Sequence, residues 1–134
     1  MSFLSRVFGS SPLKLAQNLG AYPLPNGDIS PLYVFLNVEN ASGDEVEILS
    51  VRVSPKGAEV ALAEGEIKGK VPTRLPAGEN IRFEVRAKTL GGAARDAGYP
   101  GTPRLTFLVV DGEGDEHRRD FRLRVDEYLN LRDE

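Results

Sequence analysis

The stretch GENIRFEVRAK (78–88) alternates between apolar and polar residues along its central part. Ile81, Phe83 and Val85 fall on one side of an extended chain, and charged side chains separate them. Because successive side chains of a strand point to opposite faces of a sheet, this pattern predicts one buried face and one face in water. The stretch therefore predicts a strand of an antiparallel sheet that covers a hydrophobic core.

The composition favours one globular domain rich in turns. The chain has 134 residues, of which 40% are hydrophobic and 28% are charged, which argues against extensive disorder. The 14 glycines and 9 prolines are typical of the many turns that an all-β chain requires. The net charge of −3 gives no reason to expect nucleic acid as a partner, since such binding depends on a basic surface.

The sequence contains no cysteine, which excludes disulfides, thiolate metal sites and a cysteine nucleophile. This composition is compatible with a reducing compartment. No apolar run approaches the roughly 20 residues that a membrane-spanning helix needs. The N-terminus also lacks the uninterrupted apolar region of a secretory signal. We therefore expect a cytoplasmic protein.

Two apolar runs, LYVFLNVEN (32–40) and VEILSVRV (46–53), flank a short turn and predict a pair of strands. The second run changes parity, because its first apolar residues share one face and its later ones share the other. An extra residue between Ile48 and Ser50 would bring both sets to the core side. The sequence therefore predicts a β-bulge at this point.

The later part of the chain contains two irregular stretches and a hairpin. Residues 58–71 are interrupted by glycines and predict two short strands or an irregular edge segment. Residues 89–103 are rich in Gly, Ala and Pro, show no usable periodicity and predict a long loop. The runs RLTFLVVD (104–111) and HRRDFRLRVDEYL (117–129) predict a hairpin around a glycine-containing turn.

These runs predict an all-β fold of about seven antiparallel strands in a sandwich over residues 31–134, preceded by an N-terminal segment over residues 1–30. The motif LPAGE (75–79), directly before the clean strand, resembles the immunoglobulin-like or fibronectin-III-like sandwich superfamily, particularly its bacterial modules. The resemblance covers residues 31–129 and implies an immunoglobulin-like fold. The chain lacks the paired cysteines and core tryptophan of antibody domains, so no functional residue is carried over.

The inventory of reactive side chains does not favour an enzyme. His117 is the only histidine and lies beside a turn, where a solvated loop residue is the common case. A Ser-His-acid triad would need a nucleophile on a sharp turn, and the G-x-S-x-G pattern is missing. We expect a non-enzymatic protein without a cofactor.

The alternative function is the binding of calcium or a small ligand at the turn of residues 111–116. Asp111, Glu113 and Asp115 supply the hard oxygen ligands that calcium takes, although the twelve-residue loop of an EF-hand is missing. Acidic residues with glycine are also typical of a solvated hairpin turn.

Two predicted strands are apolar on both faces, which is unusual for an antiparallel sheet with one face in water. Tyr33 and Phe35 lie opposite the core row of the first, and Leu108 and Val110 lie opposite the core row of the second. These four residues are candidate contacts with a protein partner or with a second copy of the chain. Tyr99 is a further candidate, because loops on rigid sandwiches often carry recognition.

Two alternatives explain the same outward apolar residues within one chain. The alkyl stems of arginines could cover them, with Arg82 and Arg86 over the first pair and Arg122 and Arg124 over the second. The N-terminal segment could also dock there, since SFLSRVFG (2–9) carries an apolar stripe at helical spacing. A helix on a membrane surface is a further interpretation of this stripe. The stripe carries too little positive charge for such a helix.

The expectation from sequence alone is a protein–protein interaction or scaffold module. It would bind through a sheet face or through the predicted loop 89–103.

Overall fold

The structure is a computed structural model that describes residues 12–130. Its elements, in chain order, are β1 (Leu13–Gly20), β2 (Tyr33–Asn40), β3 (Val46–Pro55), β4 (Thr73–Leu75), β5 (Asn80–Arg86), α1 (Ala87–Asp96), β6 (Arg104–Asp111), β7 (Glu116–Arg122) and α2 (Val125–Leu129). One sheet has the order β1-β2-β5 and the other has the order β4-β3-β6-β7, and all pairings are antiparallel. The predicted all-β, sandwich-like fold is confirmed.

The alternating stretch forms β5 and buries the side that its pattern predicts. Phe83 is 1% exposed and lies opposite Leu36 of β2. Phe107 of β6 is also fully buried, and both rings belong to one core cluster. Burial of each large apolar side chain contributes about 1.5–3 kcal/mol, so the inward rows of the two sheets hold the fold together.

The predicted β-bulge is confirmed. The register of β3 against β6 shifts between Ile48, which lies opposite Asp111, and Ser50, which lies opposite Val110. Ile48 before the shift and Val53 after it are both fully buried. The extra residue, Leu49, is itself 41% exposed, and the apolar residues on either side of it face the core.

The first strand lies in the segment that the sequence pattern placed before the sandwich. β1 pairs with β2 from Leu13, opposite Asn40, to Gly20, opposite Tyr33. Gly20 lies against Phe35, because a Cβ atom at this position would be 2.6 Å from Cε2 of that ring. The first sheet therefore includes residues 13–20. The predicted N-terminal helical stripe lies outside the described residues.

The prediction of a long loop over residues 89–103 is wrong, since α1 occupies most of it. The buried residues of α1 are Ala87, Leu90, Gly91 and Ala94, which have the spacing of one helical face. Three of these four residues are small. A face made of alanine and glycine resembles a loop by composition, although it has the period of a helix.

The end of the chain also differs from the prediction of one long strand over residues 117–129. β7 ends at Arg122, and α2 follows and lies against α1. A Cβ atom at Gly91 would be 3.5 Å from the carbonyl oxygen of Val125, so the two helices meet at a glycine. Together they cover the end of the sandwich at which β5 and β7 finish.

At the opposite end, a buried asparagine holds two turns together. Asn40 donates hydrogen bonds to the carbonyl oxygens of Asp44 (2.8 Å) and Leu75 (2.9 Å). Its side-chain oxygen accepts hydrogen bonds from the backbone N–H (3.0 Å) and hydroxyl (2.7 Å) of Ser42. Gly78 N donates to the backbone oxygen of Asn40 at 2.9 Å, which fixes the LPAGE turn. The amide is therefore fully satisfied, as a buried polar group must be.

The replacement Leu90→Ala tests whether α1 is part of the core. We expect the free energy of unfolding to fall by about 2–5 kcal/mol, because the change leaves a cavity under the helix. Ile29→Ala, at an exposed position, should change it by no more than about 0.5 kcal/mol. Urea denaturation measures both values. Equal effects of the two changes would show that α1 does not contribute to the core.

Candidate functional site

The outer face of the first sheet carries two of the predicted partner contacts, and the protein covers both with its own side chains. Tyr33 is 4% exposed and Phe35 is 5% exposed. The guanidinium of Arg82 lies 4.1 Å from the centre of the Phe35 ring, and Nζ of Lys68 lies 5.9 Å from the centre of the Tyr33 ring. Such contacts contribute about 0.5–1 kcal/mol each at partly exposed sites.

Tyr22 completes the cover over this face. Its ring stacks on Tyr33 at 5.5 Å, and Tyr33 in turn stacks on Phe35 at 6.2 Å. A hydrogen bond with Tyr33 raises the pKa of Tyr22 to about 12, whereas the same bond, together with one from Arg86, lowers the pKa of Tyr33. Of the predicted cover by arginines, the contact of Arg82 with Phe35 is therefore present, whereas Lys68 and Tyr22 cover Tyr33.

The outer face of the second sheet is covered by different arginines from those predicted. Leu108 is 2% exposed and lies between Arg52 of β3 and Arg118 of β7. Val110 is half-buried between Ser50 and Glu116. The predicted cover by Arg122 and Arg124 is wrong, because Arg122 lies opposite Arg104, four residues along β6 from Leu108, and β7 ends before Arg124.

Tyr99 follows α1 and is not a free recognition residue. It is half-buried, its ring packs against the core cluster, and its backbone N–H donates to Ala94 O at 2.9 Å. The candidate contact in the predicted loop therefore supports the end of a helix.

The acidic turn between β6 and β7 is built around one buried carboxylate. Asp111 is 2% exposed, and its Oδ1 accepts hydrogen bonds from the backbone N–H groups of Glu113 (2.9 Å) and Asp115 (3.0 Å). Its Oδ2 lies 2.8 Å from Nε2 of His117. Because an ionised carboxylate only accepts, the imidazole is the donor. The prediction that His117 is a solvated turn residue is wrong, since it lies in β7 and is buried.

These hydrogen bonds determine the ionisation of Asp111. Burial raises its pKa, but the bonds from His117 and from the backbone of Asp115 and Glu113 outweigh burial, so that the pKa lies below its ordinary value. No group of three or more His, Cys, Asp or Glu side chains suited to a metal ion occurs in residues 12–130. The geometry therefore gives no support to calcium at Asp111, Glu113 and Asp115.

A different surface is open, along the side of the sandwich where β3 and β5 are the exposed strands. The bridging segment (residues 56–72) crosses this side. Leu62 N donates to Val53 O of β3 at 2.7 Å. Lys68 forms two backbone hydrogen bonds with Glu84 of β5, at 2.7 and 3.1 Å. Of the two predicted alternatives for residues 58–71, the irregular edge segment is confirmed, and the only strand-like pairing there is this single bridge.

A cavity of about 370 Å³ lies between the bridging segment and β3. We call it the β3-edge groove, and its lining includes Val51, Leu62, Ile67, Gly69, Val71 and Phe83. The side chains at its inner end belong to the core, whereas Val71 at its rim is 40% exposed. The groove is therefore an apolar opening that reaches from the surface to the core.

The backbone of β3 is exposed along this groove. Because Val53 O points to the bridging segment, the N–H and C=O of Val51, two residues earlier, point the same way. β4 pairs with β3 only from Val46 to Ile48. In residues 12–130 no backbone group bonds Val51 on this side. The strand therefore offers one free donor and one free acceptor beside an apolar cavity.

Fold and site together define an all-β sandwich-like protein with an apolar groove at one sheet edge. Comparison with protein-family models and with curated proteins finds no match for the chain. In the part of the chain that the structure describes, no helix has the length and apolar character to cross a membrane.

The replacement Asp111→Asn tests the role of the buried carboxylate. We expect it to lower the free energy of unfolding at pH 7 by about 1–3 kcal/mol, because a charge-assisted hydrogen bond is lost. The folded-state pKa of Asp111 is lowered, so its stabilisation is complete above the ordinary value of about 3.9 and disappears as pH falls through the lower folded-state pKa.

Urea denaturation between pH 7 and pH 2 measures the difference between the wild type and Asp111→Asn. This difference should be constant down to about pH 5 and shrink on further acidification. Glu59→Gln, at an exposed position, is the control. A difference that stays constant to pH 2 would contradict the assignment.

The replacement Gly69→Ala tests the wall of the groove. The backbone of Gly69 has a φ angle of +147°, and a Cβ atom there would lie 2.1 Å from Cδ1 of Phe83. We expect a loss of about 3 kcal/mol from backbone strain and overpacking together. Gly65→Ala is the matched control, since Gly65 has φ 84 and open space, and it should cost about 1 kcal/mol. Equal losses in thermal or urea denaturation would exclude a close contact with Phe83.

Proposed function

We propose that the protein is a non-enzymatic interaction module of the immunoglobulin-like type, which binds an extended segment of a partner protein in the β3-edge groove. The observation that carries this proposal is the free backbone of Val51 beside an apolar cavity of about 370 Å³. In β-strand addition, main-chain hydrogen bonds to an exposed sheet edge supply affinity, and cavities for alternate side chains supply specificity. Both features are present at this edge.

The order of the strands supports the immunoglobulin-like assignment. In constant-type immunoglobulin domains, the first, second and fifth strands share one sheet, and the third, sixth and seventh share the other. The sheets β1-β2-β5 and β4-β3-β6-β7 follow this distribution, and β4 differs by lying beside β3. The LPAGE turn (75–79), on which the resemblance rests, is fixed at the end of the sandwich by Asn40.

The position of the only histidine supports a function other than catalysis. Nε2 of His117 is engaged by Asp111, and the ring is 7% exposed. A general base must reach the proton that it abstracts from a substrate. This imidazole instead binds Asp111 across the turn between β6 and β7.

The groove supports binding better than the sheet faces do. Tyr33, Phe35 and Leu108 are buried beneath side chains of their own chain. A partner on either face would have to displace those side chains before it gained apolar contact. In the groove, Val71 and the edge of Val51 are already accessible.

The replacement Val71→Asp tests the proposed site. The probe is a phage-displayed library of random octapeptides, selected on the wild-type protein, and the selected sequences are then synthesised with blocked ends. We expect binding of these peptides to weaken at least tenfold, which corresponds to about 1.4 kcal/mol, because a charge replaces an apolar rim residue. Isothermal titration calorimetry measures the affinity.

Ile29→Asp is the matched control, since Ile29 is also exposed but does not line the groove. It should leave binding unchanged. NMR titration of the wild type should shift the amide of Val51 and those of the bridging segment. Selected peptides that bind both variants equally, or a library that yields no binder, would overturn the proposal.

A further inference from the structure

We infer that the segment bound in the β3-edge groove carries a carboxylate next to the apolar residue that enters the cavity, and that Arg52 binds this carboxylate. The inference rests on the proposed function and specifies the chemistry of its partner. The partner is thus a protein with an extended stretch in which an aspartate or glutamate adjoins an apolar side chain.

Arg52 is the polar residue of the groove that has an unmet hydrogen-bonding requirement. Its side chain lines the cavity and is half-buried. Its Nε is buried, and it is the one buried side-chain nitrogen or oxygen in residues 12–130 that has no hydrogen-bond partner. A guanidinium has five N–H donors in a planar fork that matches a carboxylate. Because the side chain as a whole is only half-buried, a carboxylate at its fork would supply the guanidinium with an acceptor that the protein itself does not provide.

The acidic residues nearby do not already perform this role. The hydrogen bond from Arg118 is the main cause of the lowered pKa of Glu116, and the positive charge of Arg52 is a smaller cause. Glu64 lines the same cavity, but it forms no ion pair with Arg52. Within the described part of the chain, Arg118 is paired and Arg52 is not. The positive charge at the groove is therefore available to a partner.

The geometry of a sheet edge places the two side chains of the partner. A residue that pairs with the backbone of Val51 would point its side chain to the same face as Val51, which is the face that leads to Leu62 and Phe83. Its neighbour in the partner chain would lie beside Arg52 and point to the opposite face. Because side chains alternate, the apolar residue and the acidic residue must be adjacent in the partner sequence.

The inference is tested by selecting the same octapeptide library on the wild type, on Arg52→Gln and on Arg52→Glu. Wild-type selection should enrich peptides in which Asp or Glu adjoins a large apolar residue. These peptides should bind Arg52→Gln at least tenfold more weakly, and Arg52→Glu should instead enrich Lys or Arg at the same position. Arg118→Gln is the matched control, since Arg118 lies on the same sheet face but does not line the groove.

The outcomes separate this inference from the proposed function. Peptides whose binding requires Val71 but which show no acidic enrichment and bind Arg52→Gln as well as wild type would overturn the role of Arg52 alone. A library without any Val71-dependent binder would overturn the groove itself. Acidic enrichment that is lost equally in Arg118→Gln would assign the selectivity to the general charge of the sheet face and would contradict the inference.

Discussion

The ring of Phe83 lies in the interior of the sandwich although its strand, β5, is an edge of the first sheet. A core residue on an edge strand stays dry only if another segment covers the side of the sandwich. Here the backbone at Gly69 lies directly on that ring, and the bridge between Lys68 and Glu84 holds it there. The close approach of a glycine backbone to Phe83 therefore determines the path of the bridging segment, and with it the wall of the groove.

The way in which the chain covers its apolar surfaces determines where a partner has room to bind. The sheet faces are covered by side chains of the protein itself, such as Arg82 over Phe35 and Tyr22 over Tyr33. The side formed by β1 and β7 is bridged by the hydrogen bond from Nε of Arg119 to Gln17, at 2.9 Å. The side formed by β3 and β5 is covered by an irregular segment with few backbone hydrogen bonds. The residual opening lies under that segment because an irregular chain cannot pair continuously with a strand.

Alternation in the sequence was sufficient to predict the strands with large apolar residues, but it could not predict the elements formed by small or polar ones. β5 and β6 are apparent from Phe83 and Phe107, whereas the inward face of α1 depends on Ala87 and Ala94, which carry little hydrophobic signal. The turn at Asp111 was predicted by composition, but its pairing with His117 was not. A pattern of residue types states which side chains are near in sequence, and it does not state which of them are buried together.

The bulge in β3 connects the predictable part of the fold to the unpredicted site. Pairing of β4 with β3 stops at Ile48, and the register shift against β6 begins at the same residue. A bulge bends its strand, increases its local twist and commonly ends the pairing on one side. Beyond Ile48 the backbone of β3 on this side has no partner in β4, and Val51 lies in this unpaired stretch. The change of parity that predicts the bulge from sequence therefore lies directly beside the stretch of β3 that β4 leaves unpaired.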